Sequence, residues 1–213
     1  MKKHILLVTS LFCLIASCLA QPLPTARKRA VYGKGYYIAP SRYDYSEVAK
    51  EVTKDTSSAY EQAKALYLWI CENISYDTQT DIRTADLCWD KRRAVCQGYC
   101  ELFYRMAETL GLKTQLVYGR SRNSLDSHEN HSWLSVRTEK GDILLDPTWG
   151  AGSVIFGEFK RNSTPLVWFD PAPELFIHTH FPENKKHQHL KNTVKPEAFD
   201  TLKYVRPYHG HGT

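Results

Sequence analysis

The sequence predicts an α+β fold, and three observations carry that expectation. Apolar residues recur at helical spacing through Ala59, Ala63, Leu66, Ile70 and Ile74, and again through Leu102, Phe103, Met106 and Leu110. Strand-like stretches then follow at Thr114–Tyr118, Ser132–Thr138 and Ile143–Asp146. A helix pair feeding an antiparallel sheet is the α+β pattern.

Each element has a local cause. Ser58-Ala59-Tyr60-Glu61 fits a capping box that opens the first helix. The second helix runs from about Cys96 to Leu110, with Gly111 as its stop. Residues 77–92 are polar and read as a loop, and residues 119–130 as a second one. A turn near Glu139 and Lys140 joins the last two strands into a hairpin. Residues 21–50, rich in Pro and Tyr, read as an irregular lead to a domain over 51–182. Residues 183–213 read as a polar tail in which His187, His189, His209 and His211 are solvated.

Composition bounds the function. At 213 residues, with 42% hydrophobic and 24% charged positions, the chain is one globular domain with appendages. Lys2 and Lys3 followed by the apolar run Ile5–Ala16 read as an export signal over residues 1–20. Two processing routes fit. Cleavage after Cys18-Leu19-Ala20 would leave Gln21 first, whereas Ile15-Ala16-Ser17-Cys18 resembles a lipobox that would lipidate Cys18. Either route predicts an exported protein, periplasmic or extracellular, with a lipid anchor in the second case. The run is too short to span a bilayer, so no transmembrane segment is expected. Removing Lys2 and Lys3 lowers the net charge from +5 to +3, and no basic cluster remains to suggest nucleic acid. Cys13 lies inside the signal and Cys18 at its edge, leaving Cys71, Cys88, Cys96 and Cys100 of the six cysteines. In an oxidising compartment an even number suggests disulfides, yet the surroundings of Cys96 suggest another use.

Cys96 opens a helix, after Ala94-Val95 and before Gln97-Gly98-Tyr99. A thiol there meets the positive end of the helix dipole and free amides, which favour thiolate. With the hairpin turn at Glu139 and Lys140, Trp133 lies opposite Asp146, and His131 is a diagonal neighbour within reach of its carboxylate. A carboxylate there can orient an imidazole whose other nitrogen faces a thiolate. A zinc site from Cys96-x3-Cys100 and His128-x2-His131 is the rival, but it leaves Asp146 and the neighbouring tryptophans unexplained.

These residues carry a resemblance. Ala94-Val95-Cys96-Gln97-Gly98-Tyr99-Cys100, then Phe103 and Leu110-Gly111-Leu112, resemble the Cys box of the transglutaminase-like superfamily. His131-Ser132-Trp133 and Asp146-Pro147-Thr148-Trp149-Gly150 resemble its His and Asp boxes, in the same order. Trp69-Ile70 and Asn73-Ile74-Ser75-Tyr76-Asp77 are similar to the helix end that precedes the Cys box. Trp168-Phe169-Asp170-Pro171 through Phe176–Pro182 resembles a segment of the kyphoscoliosis-peptidase-type branch, so the likeness covers roughly residues 50–182.

The resemblance implies a papain-like cysteine-protease/transglutaminase core with a Cys96–His131–Asp146 triad for acyl transfer. Cys96 would attack a carbonyl, His131 would move the proton and Asp146 would orient His131. Tyr76 and Gln97 are candidate side-chain oxyanion donors beside the Cys96 amide, while Trp133 and Trp149 would pack and position the site. Cys100 then becomes a small core residue, and Cys71 with Cys88 the candidate disulfide. The Gly-Gln-Cys-Trp box of calcium-dependent cross-linking enzymes is absent, and no cofactor or metal is implied. The expected reaction is cleavage of a peptide or amide bond in an exported peptide, protein or cell-wall substrate. Acyl transfer to an amine and a non-catalytic binding module on the same fold are the alternatives. Asn130-His131-Ser132 forms a glycosylation sequon on the proposed base, where a glycan would obstruct the site, which favours a bacterial source.

Overall fold

Two short strands, β1 (Val31–Tyr32) and β2 (Tyr36–Tyr37), pair antiparallel at the start of the computed structural model, which describes residues 31–32, 36–38 and 40–207. The export segment with Cys13 and Cys18, Gln21, and His209 and His211 lie outside the described residues. The lead expected to be irregular ends in a helix, α1 (Ser46–Val52), which packs on α2 (Ala59–Asn73) with Ala49 fully buried. Ser58 caps α2 as expected, accepting the Glu61 N–H at 3.2 Å. Glu61 reaches back to the Ser57 N–H at 2.9 Å instead of Ser58, so the capping box closes one residue early. Ala63, Leu66 and Ile70 form the buried stripe. At the other end, the Arg161 guanidinium donates to the Cys71 and Ile74 carbonyls, placing positive charge on carbonyls that the helix leaves unpaired.

The loop expected over 77–92 is corrected. Asp77 accepts the N–H groups of Gln79, Thr80 and Ile82 to shape a turn, and then a helix, α3 (Ala85–Lys91), forms under a Thr84 cap. At two turns it is too short to show a period, and tertiary partners hold it. Buried Glu101 accepts the Ala85 N–H at 3.3 Å, and Asp86 receives the Ser41 and Tyr45 hydroxyls. Arg92 ends it in the left-handed region at φ 53°. On either side of this excursion, β3 (Ser75–Tyr76) and β4 (Arg93–Ala94) pair in parallel. β4 delivers the chain directly into α4 (Cys96–Thr109).

α4 lies on the main sheet, burying Tyr99, Leu102, Phe103, Met106 and Ala107. It stops where Gly111 turns to φ 75°. The sheet is antiparallel throughout, in the order β10 (His180–Pro182), β5 (Thr114–Arg122), β6 (His128–Thr138), β7 (Gly141–Leu145). The loop expected over 119–130 is also corrected, because the β5–β6 ladder continues to Arg122 opposite His128 and only residues 123–127 turn. These polar strand ends lack an apolar alternation, and their order comes from main-chain pairing of β5 with β6 on one side and with β10 on the other. The β6–β7 turn falls at Glu139 and Lys140 as expected, with Leu134 opposite Leu145.

Asp146 then starts α5 (Pro147–Ala151), followed by a hairpin of β8 (Gly152–Ile155) and β9 (Glu158–Arg161). A 3-10 turn at Pro165–Trp168 and a short α6 (Pro173–Phe176) lead into β10. The C-terminal stretch is anchored and not a solvated tail. In α7 (Pro196–Thr201), Phe199 is fully buried, and buried Arg122 donates to its carbonyl. Half-buried His189 meets the Ser135 hydroxyl at 3.2 Å. No described helix is long and apolar enough to cross a membrane.

α2 can approach α5 because position 150 has no side chain. A Cβ on Gly150 would overlap the Tyr67 hydroxyl, which donates to the Pro165 carbonyl at 2.6 Å, and would crowd the Cys71 sulfur at 2.9 Å. Gly150→Ala is expected to cost about 2 kcal/mol through overpacking, lowering the thermal midpoint by about 4–8 °C. An unchanged midpoint in differential scanning calorimetry would show that this contact has slack.

Candidate functional site

Three elements bring the site together. α4 places Cys96 at its first residue, β6 carries His131, and Asp146 sits between β7 and α5. Val95, at the cap position of α4, supplies no side-chain cap; its carbonyl takes the Gly98 N–H at 2.9 Å, which leaves the Cys96 and Gln97 amides to face the thiol end of the helix. Gly98 lets this turn sit close under the preceding loop, since a Cβ there would meet the Ala94 Cβ at 2.6 Å and the Ile82 carbonyl at 2.8 Å.

Asp146 is fully buried, and its two oxygens do different work. Oδ1 caps α5, accepting the N–H groups of Thr148 at 2.8 Å and Trp149 at 3.1 Å. Oδ2 lies 2.8 Å from Nε2 of His131, the diagonal contact expected from the hairpin register. With Nε2 committed there, Nδ1 of His131 is the nitrogen left for Cys96, whose thiol the ring acts on.

Electrostatics follow from these contacts. Burial pushes the Cys96 thiol up, but hydrogen bonding and charge from His131, helped by the Ser132 N–H, bring it below the ordinary thiol value. Burial alone would lower His131, yet the Asp146 carboxylate and then the Cys96 thiolate push it up to about 10. Asp146 would be raised by burial, but His131 and a second histidine hold it well below the usual carboxylate range. These opposed shifts favour thiolate on Cys96 and imidazolium on His131, with Asp146 behind the ring.

The second histidine is His180, on β10, which the sequence reading did not single out as a site residue. It is 1% exposed, and its Nε2 lies 3.1 Å from the same Oδ2 of Asp146. Burial drives its pKa down to about 4 despite the carboxylate, so the ring is neutral. Its only sequence signal was the resemblance carried by the segment Phe176–Pro182, which holds His178 as well and gives no means of choosing between them.

The other candidates fall into two groups. Tyr76 is near the thiol: burial and then the charge on Cys96 raise its phenol to about 12, so it remains a hydroxyl donor. The Gln97 carboxamide donates to Glu101 at 3.1 Å and serves the α3–α4 junction. Trp133 is fully buried, and with half-buried Trp149 it flanks the His131 ring, at centroid distances of 6.1 and 5.5 Å. The expected Cys71–Cys88 disulfide is corrected, since both are free thiols. Cys71 faces α5, with its sulfur 3.5 Å from the Pro147 carbonyl, while Cys88 is buried on α3, which packs on α4. Cys100 is a fully buried free thiol one helical turn beyond Cys96.

The zinc arrangement is not formed. His128 and His131 are three residues apart on one strand and project to opposite faces, and His128 bonds to Arg122 at 2.9 Å. Among the described residues, the group whose ligand atoms come close enough for a metal is His131, Asp146 and His180. Its two ring nitrogens already share Oδ2 at hydrogen-bond distances, the geometry of a proton network.

A thiol at a helix start, an imidazole on a strand and a buried carboxylate on the next hairpin arm define a papain-like or transglutaminase-like site. Residues 46–147 match the family model of the Transglutaminase-like superfamily, and this stretch is a transglutaminase-like domain. The kyphoscoliosis peptidases of Mus musculus and Homo sapiens are 30% and 31% identical to the chain over 181 and 173 residues. These alignments cover 75% and 74% of this chain and 26% of each relative, so the chain spans about a quarter of their length. A TGase of known structure aligns at 18% identity with a TM-score of 0.41, over 55% of this chain and 32% of that one.

Two outcomes follow from these charges. Iodoacetamide at neutral pH should alkylate Cys96 ahead of Cys71, Cys88 and Cys100, whose thiols burial pushes up, as mapped by peptide mass spectrometry. His131→Ala should slow that labelling by about tenfold or more. Thermal stability should peak near pH 6.5. His131 is raised above its unfolded value of about 6.5, so its contribution is full below that pH and is lost toward about 10. His180 is depressed, so its contribution is full above about 6.5 and is lost toward about 4, with Asp146 failing lower still. A melting midpoint that climbed steadily from pH 4 to 10 would contradict these assignments.

Proposed function

We propose that this chain is an exported thiol hydrolase that cleaves peptide or amide bonds through an acyl-enzyme on Cys96. The observation that carries the reading is His131 held at 2.8 Å by buried Asp146, with its other nitrogen left for the Cys96 thiol at the start of α4, which it lowers. The Cys96 thiolate attacks the scissile carbonyl, and the oxyanion takes hydrogen bonds from the Cys96 N–H and the Tyr76 hydroxyl. His131 gives its proton to the departing amine, the C–N bond breaks, and the acyl group stays on sulfur. Neutral His131 then takes a proton from water, which attacks the thioester and frees the acid and the thiolate. Asp146 keeps the ring oriented throughout.

Hydrolysis is preferred because the curated relatives are named peptidases. Export rests on the signal-like residues 1–20, and extracytoplasmic peptides, proteins or cell-wall peptides are the matching substrates. Acyl transfer uses the same first half-reaction with an amine in place of water. A peptide library incubated with wild type and Cys96→Ala, with and without a primary amine, separates these outcomes by product mass. New termini made by wild type, with turnover reduced by about 10³-fold or more in Cys96→Ala, are expected. Amine-tagged products without hydrolysis would move the assignment to acyl transfer, and equal activity in Cys96→Ala would overturn it.

A further inference from the structure

Asp146 holds two imidazoles on one oxygen, and the triad uses one of them. His180 is enclosed by rings: it stacks on Phe176 at 3.9 Å and 8°, and meets Trp149 at 4.7 Å, Trp133 at 5.0 Å and Trp168 at 5.7 Å. The charged or titratable groups acting on it are Asp146 and His131, whose ring centroid lies 5.4 Å away. No water-exposed face is left to it, so its protons are fixed by its neighbours.

The proton inventory can be completed. Oδ2 carries negative charge and accepts from His131, so the His180 nitrogen facing it at 3.1 Å must carry hydrogen. A neutral ring then has a lone pair on Nδ1. Fully buried Thr179 has its hydroxyl 2.8 Å from that nitrogen and 3.0 Å from the Phe176 carbonyl, and because the Thr179 N–H already donates to that carbonyl at 3.0 Å, the single hydroxyl hydrogen can turn to Nδ1. Donating it to Nδ1 locks the Nε2–H tautomer of His180.

We propose that His180 is a positioning residue of the thiol site: held in one tautomer by Thr179, it shares Asp146 Oδ2 with His131 and so sets how tightly the carboxylate grips the His131 imidazolium. The role rests on the reading of Cys96 and His131 given above. A carboxylate oxygen with two donors binds each less strongly than it would bind one alone. Sharing keeps Asp146 ionised in a dry environment while leaving the His131 proton free enough to pass to a leaving amine. Without His180 the His131–Asp146 bond would tighten, and His131 would become a poorer acid.

Proton NMR of the purified protein at neutral pH reads this without a substrate. The His131 Nε2–H resonance, assigned by its loss in His131→Ala, is expected to move downfield in His180→Phe. In His180→Gln, whose carboxamide can donate to Oδ2, it should return toward the wild-type position. The alkaline limb of Cys96 alkylation by iodoacetamide should rise by about one pH unit in His180→Phe and recover in the Gln variant. Thr179→Val keeps the imidazole but removes its tautomer lock, and is expected to shift the same resonance if the Phe variant does not fold. An unmoved His131 resonance in a folded His180→Phe or Thr179→Val protein overturns the proposal. Unreactive Cys96 in wild type would instead overturn the thiol-enzyme reading, and the resonance would still report on His180.

Discussion

The burial of one ionised carboxylate is the constraint from which the rest of this structure is organised. Asp146 has no contact with water, so its charge survives only because every lone pair has a donor. Two donors are backbone amides that begin α5, and two are imidazoles that belong to the site. The same group therefore fixes where a helix starts and which way the reactive ring points. A carboxamide at this position could serve one pair with its oxygen, but its NH2 would then face donors on the other side.

Each titrating group here would be neutral if it were buried alone. Desolvation opposes the charge on Cys96, His131 and Asp146 alike, and only their mutual contacts reverse it. The aromatic rings keep the local dielectric low, which strengthens those contacts and raises the cost of losing any partner. Close packing extends this to the backbone. Gly119 lies opposite His131, and a Cβ there would press on the Trp133 ring at 2.7 Å and the Pro182 backbone at 2.8 Å. The main-chain course of β5 is thus tied to the rings beside the imidazole.

How much of this was legible in the sequence depended on how local its cause was. α2 and α4 showed because an apolar stripe and a cap or stop lie within one element. The hairpin register showed because a two-residue turn fixes every pair beyond it, which placed His131 near Asp146 before any coordinates. α3 was hidden, since its two turns are held by Ser41, Tyr45 and Glu101 from elsewhere in the chain. The polar ends of β5 and β6 were hidden because main-chain pairing with each other, and of β5 with β10, replaces a hydrophobic signal. The disulfide expectation failed because cysteine parity says nothing about the partners that α2 and α3 face. His180 was hidden because its meaning comes from a neighbour 34 residues earlier in the chain.

The aromatic enclosure has a consequence in optics. Trp133, Trp149 and Trp168 all stand around the two imidazoles, while the remaining tryptophans, Trp69 and Trp89, stack on each other at 5.8 Å under Arg92. A protonated imidazole quenches indole emission and a neutral one does so far less. The three indoles beside the imidazoles are thus placed where their emission would report the proton on His131, while the Trp69–Trp89 pair packs on itself and Arg92 instead.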